Sequence, residues 1–261
     1  MQTVAEVTDA RSPIAGAGVV LDRVTRMLGG KRVLDGVGLH VRLRERVGIV
    51  GRSGAGKSTL LSLVAGLDET DDGTVSVGGQ TAAEARLAQC ALMPQRDCLL
   101  PWRTALDNAC LALVNDGLPR EEARRRTEPL FDRLGLAGAE RLRPAQLSVG
   151  MRQRVAFLRT LLAGKEVLLL DEPFGALDAI TRGELQEWLA PALDTEPRTL
   201  LLVTHDIEEA LLLCDRVLVL DGGRIVSELD VRLPRDGRTR RELVTSAAFV
   251  ALRELTLEAL G

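Results

Sequence analysis

The residues best suited to chemistry fall in two short stretches. Gly51-Arg52-Ser53-Gly54-Ala55-Gly56-Lys57-Ser58 fits the spacing G-x-x-x-x-G-K-[ST] in full, which chance would produce in roughly 1% of chains this long. Glycines let successive N–H groups curl around phosphate oxygens, and a helix opening at the lysine adds its positive end. The pattern predicts a nucleoside-triphosphate cradle built from Gly51, Ser53, Gly54, Ala55, Gly56, Lys57, Ser58 and Thr59. In it Lys57 reaches the β- and γ-phosphates and the Ser58 hydroxyl ligates Mg2+. The second stretch is Val167-Leu168-Leu169-Leu170-Asp171-Glu172-Pro173: four apolar residues for a buried strand, then two acids where proline ends it. Asp171 is expected to hold the metal and Glu172 to polarise an attacking water, since phosphoryl transfer rests mostly on positioning and charge compensation.

Other reactive residue types are sparse. Read alone, His205 in Val203-Thr204-His205-Asp206 is a surface histidine and Gln95 after Met93-Pro94 is a loop residue. Cys90, Cys98, Cys110 and Cys214 show no C-x-x-C spacing, so they are expected to be buried thiols in a reducing compartment. His40 and His205 are too few and too far apart for a zinc site.

Positioning the two acids and the lysine requires strands that end side by side. Val47–Val50 reads as a strand before the phosphate loop, and Lys57–Ala65 as a buried helix stopped by Gly66. Downstream come a helix over Met151–Ala163, a strand over Glu166–Leu170, and a helix whose face is Leu185, Trp188, Leu189 and Ala192. A strand Thr199–Thr204, a helix Asp206–Leu213 and a strand Arg216–Leu220 follow. This alternation predicts an α/β fold with a parallel sheet covered on both faces. Before the loop, β-branched runs over Val19–Arg44, broken at Leu28-Gly29-Gly30 and Asp35-Gly36, predict antiparallel strands. Residues from about 96 to 150 read as a helical insert, with a helix opened by Pro119 and kinked or ended at Pro129. The resulting division is a flexible segment 1–17, a body 18–230 and a C-terminal extension 231–261.

Composition excludes several classes. The 261 residues carry a net charge of −3, with 46% hydrophobic and 27% charged residues, as in an ordinary globular chain. Aromatics are 2% and tyrosine is absent, so neither a basic field nor stacking platforms await nucleic acid. No apolar run reaches the ~18 residues needed to span a membrane, and no basic start precedes an apolar block as in a signal peptide.

Four further motifs, in order and spacing, resemble the ATP-binding cassette of ABC transporters over about residues 19–228. Gln95 sits at the Q-loop; Leu147-Ser148-Val149-Gly150-Met151 resembles the signature before a helix; Ala176-Leu177-Asp178 resembles the D-loop; His205 resembles the switch histidine. Leu99-Leu100-Pro101-Trp102-Arg103, Asp171 to Asp178 and Leu233-Pro234-Arg235 narrow the resemblance to importers of nitrate, sulfonate and taurine. Arg154 to Thr160 is somewhat similar to importers of thiamine-precursor pyrimidines. The resemblance implies a P-loop (RecA-like) fold and ATP and Mg2+ as cofactors. It also implies a homodimer sandwiching two ATP molecules and hydrolysis by Glu172, His205 and Lys57. Gln95 would join Ser58 and Asp171 at the metal and sense the γ-phosphate; Ser148, Gly150 and Asp178 would complete the nucleotide site, the signature from across the dimer. Partners would be integral-membrane permease subunits and, indirectly, a solute-binding protein, with no nucleic acid. The place would be the cytoplasmic face of the inner or cell membrane.

Two departures stand out. The position where the family stacks an aromatic residue on adenine is Leu28, and Val149 replaces the first signature glycine. The first removes a stacking contact of ~1 kcal/mol and predicts weak ATP preference; the second predicts slower closure, because a branched side chain narrows the turn. Trp102 is open between packing under the insert and touching a partner. The Arg124-Arg125-Arg126 run and the Arg235–Arg241 cluster read as solvated faces. The competing classes are a non-transport ABC ATPase of DNA repair or translation, disfavoured by charge, and a small-molecule kinase, disfavoured by the signature and His205. An exporter is disfavoured by Leu99-Leu100-Pro101-Trp102.

Overall fold

A computed structural model describes residues 17–175, 177–195, 197–233 and 238–261, with the side chains of 17, 188, 192, 194 and 195 left out. The expectations for the segment 1–17, for Ala176, for Pro234 and Arg235, and for the Trp188 and Ala192 side chains therefore lie essentially outside the described residues.

Two sheets and a helical layer organise the chain. Strands β1 (Ala17–Leu28) and β2 (Lys31–Arg42) form an antiparallel hairpin. β3 (Arg46–Val50) runs into the phosphate loop, and α1 (Lys57–Ala65) leaves it. β4 (Asp72–Val77) pairs antiparallel with β1, giving a three-stranded sheet of order β2-β1-β4. After α2 (Ala83–Gln89) and β5 (Cys90–Met93) come the helices α3 (Ala105–Ala109), α4 (Leu111–Asn115), α5 (Arg120–Arg133) and α6 (Val149–Leu161). The chain then alternates β6 (Val167–Asp171), α7 (Ala179–Thr195), β7 (Thr199–Thr204), α8 (Ile207–Leu213) and β8 (Arg216–Asp221). The antiparallel edge strand β9 (Arg224–Asp230) and the helices α9 (Arg240–Val244) and α10 (Ala247–Leu260) close it.

The larger sheet has the order β5-β6-β7-β3-β8-β9, parallel from β5 to β8. Every residue of β6 and β7 is buried, as a strand covered on both faces requires. The period of two divides each strand between two cores. Val47, Ile49, Leu169, Leu201 and Leu218 pack with α1 and the antiparallel sheet. Val50, Leu168, Leu170, Leu202 and Val219 pack with Phe157, Leu211 and Phe249 of α6, α8 and α10.

Several expectations change. α5 runs through Pro129 to Arg133 without ending there. β9, α9 and α10 were not anticipated, although Thr239 and Glu242 form a capping box at the start of α9, which is a readable signal. Trp102 does not pack under the insert: it is 69% exposed. Cys98 is exposed, with φ 45°, whereas Cys90, Cys110 and Cys214 are buried; burial pushes the Cys90 thiol up to about 12. Nor is the arginine run a wholly solvated face. Arg125 and Arg126 pair with Glu122, but Arg124 turns inward with Arg120 onto buried Asp107, at 2.9 and 2.7 Å. Burial works against ionisation of Asp107, and the two arginine hydrogen bonds outweigh it, leaving its pKa at about 2.

Candidate nucleotide and hydrolysis site

The parallel strands bring their carboxyl ends together, with Val50 opposite both Thr204 and Val219, and Asp171 opposite Val203. A crevice at the carboxyl ends of the strands is where α/β sheets hold ligands. There the phosphate loop turns from β3 into α1. A Cβ on Gly51 would stand 2.3 Å from the Leu220 carbonyl oxygen, so no other residue fits. Gly56 caps α1 at φ 102° and lies against the Val33 carbonyl, 2.7 Å from where a Cβ would be. Lys57 Nζ donates to the Gly51 and Arg52 carbonyl oxygens at 2.8 and 3.1 Å, folding the ammonium back over the loop. Burial lowers the Lys57 pKa, and the charges of Glu172 and Asp171 oppose that shift.

Asp171 closes β6 next to this lysine. Burial raises its pKa, while a hydrogen bond from the Ser58 hydroxyl pulls it down. Ser58 and Asp171 thus meet, as two ligands of one small cation must. No cluster of three or more His, Cys, Asp or Glu with metal-site geometry occurs among the described residues. Two protein oxygens suit Mg2+, which keeps waters and phosphate oxygens as its remaining ligands.

Glu172 follows with φ 49°, a left-handed backbone rare outside glycine. Its N–H donates to the Val203 carbonyl at 2.8 Å. Its carboxylate lies between two long-range partners: Gln95 Nε2 donates to Oε2 at 3.1 Å, and His205 Nδ1 lies 3.3 Å from Oε1. Strained backbone of this kind persists only where its surroundings fix it, commonly at functional sites.

Not every anticipated residue joins this cluster. Ser148 caps α6 by accepting from the Met151 N–H at 3.2 Å and is exposed. Gly150 lies against Leu177, whose Cδ2 would be 3.1 Å from an added Cβ. Val149 is the first residue of α6 and 54% exposed, with no left-handed backbone. Asp178 accepts from the Ile180 and Thr181 N–H groups and the Thr181 hydroxyl, anchoring the start of α7. Leu28 ends β1 at 42% exposure beside the hairpin turn.

Some supporting residues escaped the motif reading. Thr204 donates to Glu209 at 2.9 Å and accepts from the Asp206 N–H at 3.0 Å, bracing the turn that carries His205. Arg182 joins Asp206 at 2.9 Å to the Leu177 carbonyl at 3.1 Å. From α6, Arg152 reaches Asp97 at 3.0 Å, and Arg159 donates to the Cys98 and Asp97 carbonyls, both at 2.9 Å. These contacts fix the loop just after Gln95 onto the signature helix, and only the 3.6-residue period of α6 hints at them.

The phosphate loop, the acid pair and the two side chains that meet Glu172 define a P-loop nucleotide-hydrolase site on an α/β sheet. Residues 34–175 match the family described as ABC transporter. The aliphatic sulfonates import ATP-binding protein SsuB of Cupriavidus necator is 45% identical over 87% of this chain and 74% of its own. SsuB 1 of Rhodococcus jostii is 48% identical over 77% and 78%. The formylaminopyrimidine import ATP-binding protein ThiZ of Halalkalibacterium halodurans is 43% identical over 80% and 82%. A dimeric bacterial ABC transporter cassette superposes with a TM-score of 0.76 at 30% identity, covering 82% of this chain and 99% of that one. A dimeric post-hydrolysis cassette bound to ADP and Pi matches equally well. The chain belongs to the ATP-binding subunits of the ABC transporter family.

Proposed function

We propose that this chain is the ATP-hydrolysing subunit of an importer for a small organic solute of the aliphatic sulfonate class. The observation that carries the reading is the convergence on Glu172 of Gln95 and His205, beside the Ser58–Asp171 pair and Lys57. In the reading, the glycine N–H groups and Lys57 bind the phosphates, and Ser58 with Asp171 holds Mg2+, which supplies charge neutralisation at the phosphates. Glu172 accepts a hydrogen bond from the attacking water and takes its proton; His205 and Gln95 hold that carboxylate in place and report the γ-phosphate side.

Ser148 and Gly150 are assigned to the nucleotide of a second copy, because they start a helix whose exposed N-terminus suits an anion. The two dimeric cassettes support a pair of chains, which we take to be head to tail. No helix among the described residues is long and apolar enough to cross a membrane, so the solute's path is assigned to separate permease subunits, with a solute-binding protein beyond them. That arrangement puts the chain on the cytoplasmic membrane face. Trp102, exposed close after Gln95, is the surface we assign to the permease. The body over 18–230, with its insert and C-terminal extension, remains the proposed division.

A pyrimidine importer is the second reading, favoured by the 43% identity to ThiZ. Cellular uptake of labelled alkanesulfonate, taurine, nitrate and a formylaminopyrimidine, compared between the native protein and Lys57→Ala, tests both. Collapse of sulfonate uptake alone supports the main reading; collapse of pyrimidine uptake alone replaces it; unchanged uptake of all four rejects both.

A further inference from the structure

A cavity of about 310 Å3 that shares no lining residue with the nucleotide site lies between α7, α8 and the start of α9. Its volume lies at the lower end of small-molecule pockets, roughly 300–1,000 Å3, and its make-up is of their kind: an apolar wall with a few convergent polar groups. Leu212, Leu213 and Leu243 supply the wall. Gln186 lines it at 3% exposure. The Gln186 amide is oriented by Arg240, whose Nε donates to its Oε1 at 3.2 Å. That leaves the amide nitrogen, a buried donor, without a partner. Buried donors are nearly always satisfied, and an exception calls for an acceptor from elsewhere.

The charge around the cavity is biased toward an anion. Arg238 and Arg240 line it with Glu187. Behind them Glu208 is shared between Arg240 at 3.4 Å and Arg253 of α10 at 3.5 Å, and Arg253 also pairs with Glu254 at 3.4 Å, so the excess of positive charge lies in the lining itself, two arginines against one glutamate. We propose that this cavity binds a small amphipathic anion, its short aliphatic body on the leucine wall and its oxyanion on Gln186 Nε2 and the arginines. Such a ligand ties α9 to α7 and α8, the helices that begin at Asp178 and just after His205. The inference does not depend on which solute is transported.

Calorimetric titration of the purified chain with pentanesulfonate, pentanoate and pentanol tests it, with Mg-ADP saturating the phosphate loop so that anions held there do not register. Both anions should bind at one site per chain and pentanol far more weakly. Gln186→Leu should weaken anion binding roughly tenfold, the cost of one buried charge-assisted hydrogen bond. Ala190→Phe, which fills the cavity from α7, should abolish binding while thermal unfolding stays cooperative. Absence of saturable binding to the native chain at millimolar anion overturns the proposal. So does pentanol binding as tightly as the anions, or anion binding that survives both substitutions.

Discussion

At the scale of single residues, the site is a carboxylate held in tension between neighbours. Glu172 gains its position from Gln95 on one side and His205 on the other, so removing its charge while keeping its shape should separate binding from chemistry. Glu172→Gln is expected to retain ATP affinity and to lose on the order of 10²–10⁴-fold in turnover, read by phosphate release against nucleotide-binding fluorescence. Equal loss of both would assign Glu172 to the cradle instead. Glu209, beneath the same turn, behaves differently. Burial raises its pKa to about 8, against a helping hydrogen bond from Thr204, and its Oε1 has no partner. Its folded pKa lies above its unfolded one, so stability is full below the ordinary carboxyl pKa of 4.5 and falls as pH climbs from there toward 8. Glu209→Gln should therefore raise the melting temperature at about pH 8, by ~1–3 kcal/mol of stability, and leave it nearly unchanged at about pH 4. A melting curve at each pH checks it.

At the scale of elements, helix ends carry much of the work. Ser148 caps α6, so Ser148→Ala should cost ~1 kcal/mol of stability, measured by denaturant unfolding of the isolated chain. A larger loss in ATP-dependent activity than that cost explains would belong to its proposed cross-dimer role. Leu28 sits at the exposed end of β1; Leu28→Tyr should tighten ATP by ~1 kcal/mol, about fivefold, if adenine lies against it. Unchanged affinity would remove Leu28 from the nucleotide site. The loop after Gln95 is held by Arg152 and Arg159, so a displacement of that loop has a direct route into α6.

At the scale of the whole molecule, one chain holds half of each proposed nucleotide site. The cradle and Glu172 sit at the sheet's carboxyl edge, while Ser148 is exposed and Gly150 half-buried at the head of α6. Glu172→Gln with Mg-ATP should therefore run as a dimer in light scattering, and Lys57→Ala with Mg-ATP as a monomer. A Glu172→Gln chain that stays monomeric at high concentration with ATP would contradict the sandwich for the isolated subunit. The sequence itself determined the phosphate loop, the acid pair and the alternation of strands and helices. Each of these is written in contiguous residues: Gly51 to Ser58 for the turn, Val167 to Glu172 for the strand and its acids. Tertiary structure decided the rest, because it depends on residues far apart in the chain. Gln95 and His205 could be aligned by motif, yet their meeting at Glu172 follows only from β5, β6 and β7 lying side by side. The inward turn of Arg124 onto Asp107, the exposure of Trp102 and the unpartnered amide of Gln186 are invisible to periodicity. A side chain's partner is set by which helix packs against it, and burial turns a polar residue into a constraint only once that packing exists.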